Sequence, residues 1–423
     1  MGYLVQQHLN DLDWRWIRRV SILIFNNTFT LTPSPEYLLL QQAIQLAAPA
    51  PALLEAQRLL EKHPINWPFF LDLAEYHAIR PQAATLLRQL PTGLVPAPVI
   101  TQLQEVRREI AYQQMNNVAE FLQIQQLLQS EGVTTVPYKG FWLAHTAYGD
   151  LAEREGSDVD LFMAPQDLTQ VQKIMYARGY ETELDSLGSN AQGVLQYHGE
   201  YNFKKFQGDV ALFLFEFHAS PGNQKLGFNI SLNELQDQIQ HPSFQGRSIA
   251  TFSPSAQLLL AVVHHGAKVA WLSLKYVLDI AKLLQSHGHH LDWPWLLRMN
   301  QRHDCAGLFW VGVGLAQTLT GIALAVPVQA GLQEAKVARL VQNRLKALAQ
   351  VSIYTPRGYR NYAQQLWFLF KAQRSWASRW ALILNHLQPQ PIFGQNDPGE
   401  NRWILRFWRR IRTIVWVAFR EKK

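Results

Sequence analysis

The chain has 423 residues, 48% of them apolar and 17% charged, with a single cysteine, Cys305, and a net charge of +7. That length allows two or three domains with sizeable cores, and the composition excludes a disordered chain. One cysteine excludes an intramolecular disulfide framework and fits a reducing compartment.

The opening MGYLVQQHLNDLDWRWIRRV lacks the basic, apolar and small-residue order of a secretion signal, so the expected location is the cytoplasm. From about Pro35 to Ser130, apolar residues recur at three- and four-residue spacings in SPEYLLLQQAIQLA, PALLEAQRLLEKH and VITQLQEVRREIAYQQMNNVAEFLQIQQLLQSEG. This spacing predicts helices, the last stopping at Gly132. Then the period changes. VTTVPYKG predicts a short strand, FWLAHTAYGD a helix, DVDLFM a strand, PQDLTQVQKIMYARG a helix with Asp167 near its start, and VALFLFEFH a strand. YETELDSLGSNAQGVLQYHGEYNFKKF, between the last two, reads as a hairpin with a loop around Gly188 and Gly193. Helical spacing returns after FSPS at 252–255 and continues to about Gln350.

The expected organisation is α+β: a helical region over 1–100, a small mixed-sheet core over 101–250, a second helical domain over 251–350 and a helical, basic, aromatic tail over 351–423. The uncharged run from Gly307 to Val328 is long enough to span a bilayer, but Gln317, Thr318, Thr320 and its glycines dilute it. It is therefore read as a buried helix pair. INWPFFLDLAEYH and LDWPWLLRMNQRH echo each other because each starts a helix by the same rules, with Asn66 or Asp292 as cap and proline in the first turn. The HGHH run at 287–290 is read as a polar loop.

Asp158 and Asp160 stand one residue apart at the mouth of the DVDLFM strand. Alternate strand side chains share a face about 7 Å apart, so the two carboxylates point together while Val159 and Leu161 enter the core. Like charges this close raise each other's pKa unless a cation lies between them, and magnesium is a hard ion suited to carboxylate oxygens. Two such ions about 4 Å apart can stabilise the entering and leaving oxygens of phosphoryl transfer. Glu216 supplies a third carboxylate, on the face of VALFLFEFH that also carries Val210, Leu212, Leu214 and His218. Asp-x-Asp alone is a common pair; an acid in so apolar a strand is a second oddity asking for the same explanation.

YKGFWLAHTAYGDLAEREGSDVDLFM, followed by FEFH and SPSAQLLLAVVHHGAKVAWLSLKYVLDIAKLL, resembles the uncharacterised bacterial nucleotidyltransferase family of the DNA polymerase beta superfamily. The resemblance covers about Ile65 to Leu324. It implies that Asp158 and Asp160 hold metal ions, with Glu216 completing the site and helping to activate an acceptor hydroxyl. The ions would be two Mg2+, with Mn2+ as the alternative. Lys139 and Gly140 occupy the place of the superfamily's Gly-Ser turn and, with Ser157, are candidate nucleotide contacts.

Arg154 either reaches a triphosphate or pairs with Glu153, Glu155 or Asp150. Tyr148, Gly149 and Asp150 form a helix stop and turn. Lys268, one turn from His264 and His265, is a candidate triphosphate contact or a solvated lysine. Asp279, which also matches the family, has Lys275 and Lys282 as local partners. The implied activity transfers a nucleoside monophosphate from a nucleoside triphosphate, ATP among them, to a hydroxyl of a small molecule or protein ahead of an RNA end. The rival readings are a catalytically inactive nucleotide-binding or membrane-surface module and an RNA-modifying toxin. The tail NRWILRFWRRIRTIVWVAFREKK at 401–423 would pack on its own domain or lie on an anionic membrane, with nucleic acid third.

Overall fold

The computed structural model describes residues 33–183, 190–222, 226–324, 331–350 and 359–387. The readings of the 401–423 tail and of Gly188 fall outside these residues.

Four helices open the described chain: α1 (Pro35–Ala43), α2 (Pro49–Lys62), α3 (Trp67–Tyr76) and α4 (Arg80–Arg88). Each has a proline in its first turn, where the missing N–H would have no helical partner anyway. Asn66 caps α3 by accepting from the Phe69 amide. The long α5 (Ala97–Ser130) packs its first half on α4 and sends Phe121, Ile124 and Leu128 into the core beneath the sheet. It ends as expected, with Gly132 left-handed at φ 76°.

The sheet has four strands in the order β1 (Thr135–Pro137), β2 (Asp158–Met163), β4 (Val210–His218) and β3 (Glu200–Gln207). Strands β2 and β4 are parallel, and the two outer pairs are antiparallel. Between β1 and β2 lie the single turn α6 (Gly140–Leu143) and a π-helical turn over Ala144–Tyr148. After β2 comes α7 (Leu168–Ala177).

The hairpin expected in 180–206 is corrected. Asn190 caps a helix, α8 (Ala191–His198), by accepting from the Gly193 amide, and the helix buries Val194, Leu195 and Tyr197. Strand β3 follows and forms the hairpin with β4 instead. Glu181 retains one isolated bridge to Lys204. The segment was hard to read because its helix is only two turns long, too short for helical spacing to show.

Strand β2 lies between two cores. Val159, Leu161 and Met163 enter the core shared with α5, α7 and α8, whereas Phe162 faces a larger, mostly helical core. The same alternation turns Phe215 and Phe217 of β4 into the first core, leaving Glu216 and His218 on the opposite face.

The helical layer on that face is α9 (Pro254–Val263), α10 (Leu274–His287), α11 (Trp293–Arg302) and α12 (Ala306–Thr320), followed by α13 (Ala335–Ala349), α14 (Tyr359–Ala372) and α15 (Trp376–Leu387). Asp292 caps α11 as expected. Of the 307–328 run, the described part up to Thr320 lies in one buried helix, α12, stopped by left-handed Gly321, and 321–324 continue without helix; the second half of the expected helix pair falls outside the described residues. Its Gly312 permits close packing, since a Cβ there would stand 2.5 Å from the Trp271 ring. Among the described residues, no helix is long and apolar enough to cross a membrane.

Candidate active site

The parallel register sets Asp160 beside Glu216 and Asp158 beside Leu214. In the antiparallel β3–β4 pair, Glu200 lies opposite His218. Four acids and a histidine therefore gather at one end of the sheet, on the face toward the helical layer.

Asp160 is the buried centre of this group. Its Oδ1 accepts from Lys139 Nζ at 2.7 Å and from His218 Nε2 at 3.0 Å. His218 Nε2 is also 3.4 Å from Glu216 Oε2, while its Nδ1 is 3.5 Å from Glu200 Oε2. Burial alone would raise the Asp160 carboxyl, but Lys139 and His218 outweigh it and hold it well below the usual carboxylate range. Asp158 behaves oppositely. Burial and the charges of Asp160 and Glu216 push its pKa up. Burial and Lys139 oppose a charge on His218, yet its hydrogen bonds to Asp160 and Glu216 and the nearby Glu200 leave its pKa raised.

Lys139 joins this cluster to the helical layer. Its ammonium donates to His264 Nε2 at 3.0 Å, so the His264 proton belongs on Nδ1, which lies 3.1 Å from His265 Nδ1. His265 Nε2 in turn faces Asp279 Oδ2 at 3.1 Å. Burial first, and neighbouring cations after it, hold His264 well below its ordinary pKa; burial takes His265 down to about 4. Both rings are neutral at pH 7, as this one-way chain of donors requires. The two histidines sit where α9 gives way to a π-helical turn over His264–Lys268, an interruption of regular helix that recurs at functional sites.

Asp279 anchors the far end. It accepts from Arg154 Nε at 2.8 Å and Arg154 Nη2 at 2.9 Å, both buried, and from the half-buried Tyr148 Oη at 2.6 Å. This corrects both local pairings expected from the sequence. Arg107 takes Glu153 and Asp150, Arg80 takes Glu155, and Arg154 is left to reach across to α10. Lys275 and Lys282 lie on the same helix as Asp279, but a buried guanidinium offers the better, two-pronged fit. Arg154 Nη1 also donates to the Gly140 carbonyl at 3.2 Å, so the pair holds the turn after Lys139.

Gly140 is needed at that turn. Its φ is 52°, and a Cβ would stand 2.8 Å from the Asp158 carbonyl. The loop before β2 is held by α5: Gln114 donates to the Gly156 carbonyl at 2.8 Å and Asn117 to that of Ser157 at 3.4 Å. Ser157 itself is exposed beside Asp158. The expected stop at Tyr148, Gly149 and Asp150 is present, with Gly149 left-handed and Asp150 accepting from the Ala152 amide. His289 and His290 of the HGHH run are exposed in one 3-10 turn.

Lys268 pairs with Glu200, its Nζ 2.7 and 2.9 Å from the two carboxylate oxygens. Lys275 lies nearer the Asp158 side. Burial and Arg154 lower its pKa to about 8, while Asp279 and Asp158 act in the other direction.

Among the described residues, Asp160, Glu216 and His218 bring three donor atoms within 4.8 Å of one another and could hold a metal ion. Carboxylates suit magnesium or manganese, and an imidazole beside them suits manganese better than magnesium. The donor set fits a divalent cation.

The model of a family described as uncharacterised nucleotidyltransferase matches residues 63–321, more than half of the chain. The chain belongs to this nucleotidyltransferase family. No curated protein and no solved structure matches it. The matched region holds Lys139, the Asp158–Asp160 strand, Glu216, His218 and the His264–Asp279 anchor together. Sequence reasoning named Asp158, Asp160 and Glu216, which share one face of the sheet; among the described residues the donor group that meets within 4.8 Å is Asp160, Glu216 and His218, and the sequence gave His218, His264 and Glu200 no role. The alternation that put Glu216 on the site face also marks His218, whereas Glu200 and His264 become visible only through long-range packing.

Proposed function

We propose that this nucleotidyltransferase is a metal-dependent enzyme with a core of the DNA polymerase beta type, transferring a nucleoside monophosphate from a nucleoside triphosphate to a hydroxyl acceptor. The convergence of Asp158, Asp160 and Glu216 on one face of the parallel strand pair carries this reading. Such a cluster is costly without a cation and productive with one. Asp160 and Glu216, two of the three donors that meet within 4.8 Å, would hold magnesium or manganese together with Asp158 one alternation away, and the ion when bound would neutralise charge on the phosphates. His218, hydrogen-bonded to Asp160, orients that carboxylate.

The acceptor oxygen bonds to the α-phosphorus as the bond to the β-phosphate oxygen breaks, and pyrophosphate leaves. Glu216, at the more open side of the cluster, accepts the hydroxyl proton. Of the candidate nucleotide contacts, Ser157 lies open beside Asp158, and Lys139 and Gly140 line the turn against β2. Lys268 would have to leave Glu200 to meet a phosphate, whereas Lys275 is near enough to Asp158 for their charges to interact, so we assign Lys275 the triphosphate. Arg154 serves by holding Gly140 through its pairing with Asp279. The favoured acceptor is a small molecule or a protein side chain, in a cytoplasmic setting.

Donor label decides the reaction. With manganese and a mixture of small-molecule and protein acceptors, label from an α-phosphate should enter the acceptor while label from the γ-phosphate appears in pyrophosphate. Release of γ-label as orthophosphate with no α-label transferred would reject the proposal.

A further inference from the structure

We infer that the Lys139 ammonium stands in one of the two cation positions of the acid cluster, so that the protein's carboxylates bind one divalent ion and not two. This rests on the metal-dependent reading above and changes its ion count.

Lys139 is placed by backbone register and not by a flexible reach. The Tyr138 amide donates to the Asp160 carbonyl at 3.4 Å, which sets the next residue over the β2 carboxylates. The residue is 4% exposed and its Nζ lies 4.9 Å from the centre of the Tyr138 ring. On one side the ammonium meets Asp160 Oδ1 at 2.7 Å; on the other it meets His264, which is backed by His265, Asp279 and Arg154. Moving it away would leave a buried carboxylate and a buried imidazole without their partner.

A lysine head is a compact point charge, the side-chain group closest to a small cation in form. Here it occupies a carboxylate oxygen that a second ion would need. The ion pairs of Asp160 with Lys139 and with His218 both fall on Oδ1, leaving Oδ2 for a divalent ion. Charge agrees with this count. With Glu200 neutralised by Lys268, the remaining acids Asp158, Asp160 and Glu216 are balanced by one ammonium and one divalent cation, whereas two divalent cations beside a fixed lysine would leave excess positive charge in a largely buried space. The Lys-Gly pair in place of a Gly-Ser turn then has a physical meaning: the chain carries its own second cation.

Manganese alone, added to the nucleotide-free full chain, tests the count by calorimetry and electron paramagnetic resonance. Wild type should take up one Mn2+ per chain with an isolated-ion spectrum, and Lys139→Arg should do the same. Lys139→Ala should take up two, with spectral broadening from ions about 4 Å apart. Two ions in wild type, two in Lys139→Arg, or one in a folded Lys139→Ala would overturn the inference while leaving a metal enzyme in place. No Mn2+ bound by wild type would remove the metal-dependent reading together with this one. Circular dichroism establishes whether Lys139→Ala is folded; if it is not, the wild-type and Lys139→Arg counts decide.

Discussion

Asp160 and Glu216 are register partners across the parallel pair β2–β4, while Asp158 enters the same face one alternation earlier. Their environments differ in sign: Asp160 is held ionised by Lys139 and His218, but Asp158 is pushed toward its neutral form by burial and by its two acidic neighbours. Without metal, Asp158→Asn should therefore raise the denaturation midpoint. Asp160→Asn, which strands a buried lysine, should lower stability by about 3–5 kcal/mol. Chemical denaturation of both variants in chelator measures this, and equal shifts of the same sign would contradict it.

Arg154, in the loop before β2, is held to Asp279 of helix α10 by hydrogen bonds of 2.8 and 2.9 Å and to the Gly140 turn by one of 3.2 Å. Arg154→Met should cost roughly 3–5 kcal/mol, because Asp279 is then a buried charge lacking its main partner. The double variant Arg154→Met/Asp279→Leu should be less destabilised than the sum of the single changes, and a denaturant double-mutant cycle reads the difference.

At Gly140 any side chain meets backbone, not a movable side chain. Gly140→Ala places a methyl 2.8 Å from the Asp158 carbonyl in a left-handed conformation, so the mouth of β2 must shift. The left-handed backbone alone costs about 1–2 kcal/mol. Calorimetry should find manganese affinity lowered about tenfold, the equivalent of about 1.4 kcal/mol, in a protein that retains its helical circular dichroism.

His77 gives the fold an acid-sensitive point away from the carboxylates. It is fully buried, its Nδ1 accepts from the Leu274 amide at 3.4 Å, and burial lowers its pKa to about 3. The unfolded chain takes up this proton near pH 6.5 and the folded chain does not. Its contribution is thus intact above pH 6.5 and lost as pH falls toward 3, by about 1.4 kcal/mol per pH unit. His77→Gln should flatten the decline of stability between pH 6.5 and 4.5 by that slope, as followed by urea denaturation.

Much of the scaffold was legible in local pattern. Pro-started helices, the caps at Asn66 and Asp292, and the alternation in DVDLFM and VALFLFEFH each follow from neighbours a few residues away. Helix α8 was not, because eight residues are too few for helical spacing to show until its cap and three buried side chains are seen. The three carboxylates were visible as charges in the wrong place. Their partners were hidden by distance along the chain: Lys139 meets His264, and Arg154 meets Asp279, each across 125 positions. Spacing along one helix pointed Asp279 to its nearby lysines, and tertiary packing chose the more rigid guanidinium.

The most direct measurement is calorimetric titration of wild type and Asp158→Asn with each of the four nucleoside triphosphates, in manganese or magnesium and again in chelator. The account predicts binding of at least one triphosphate that requires the divalent ion and is lost, or weakened at least tenfold, in Asp158→Asn. Binding that persists in chelator and is equal in the variant, or no binding by folded wild type, would contradict it.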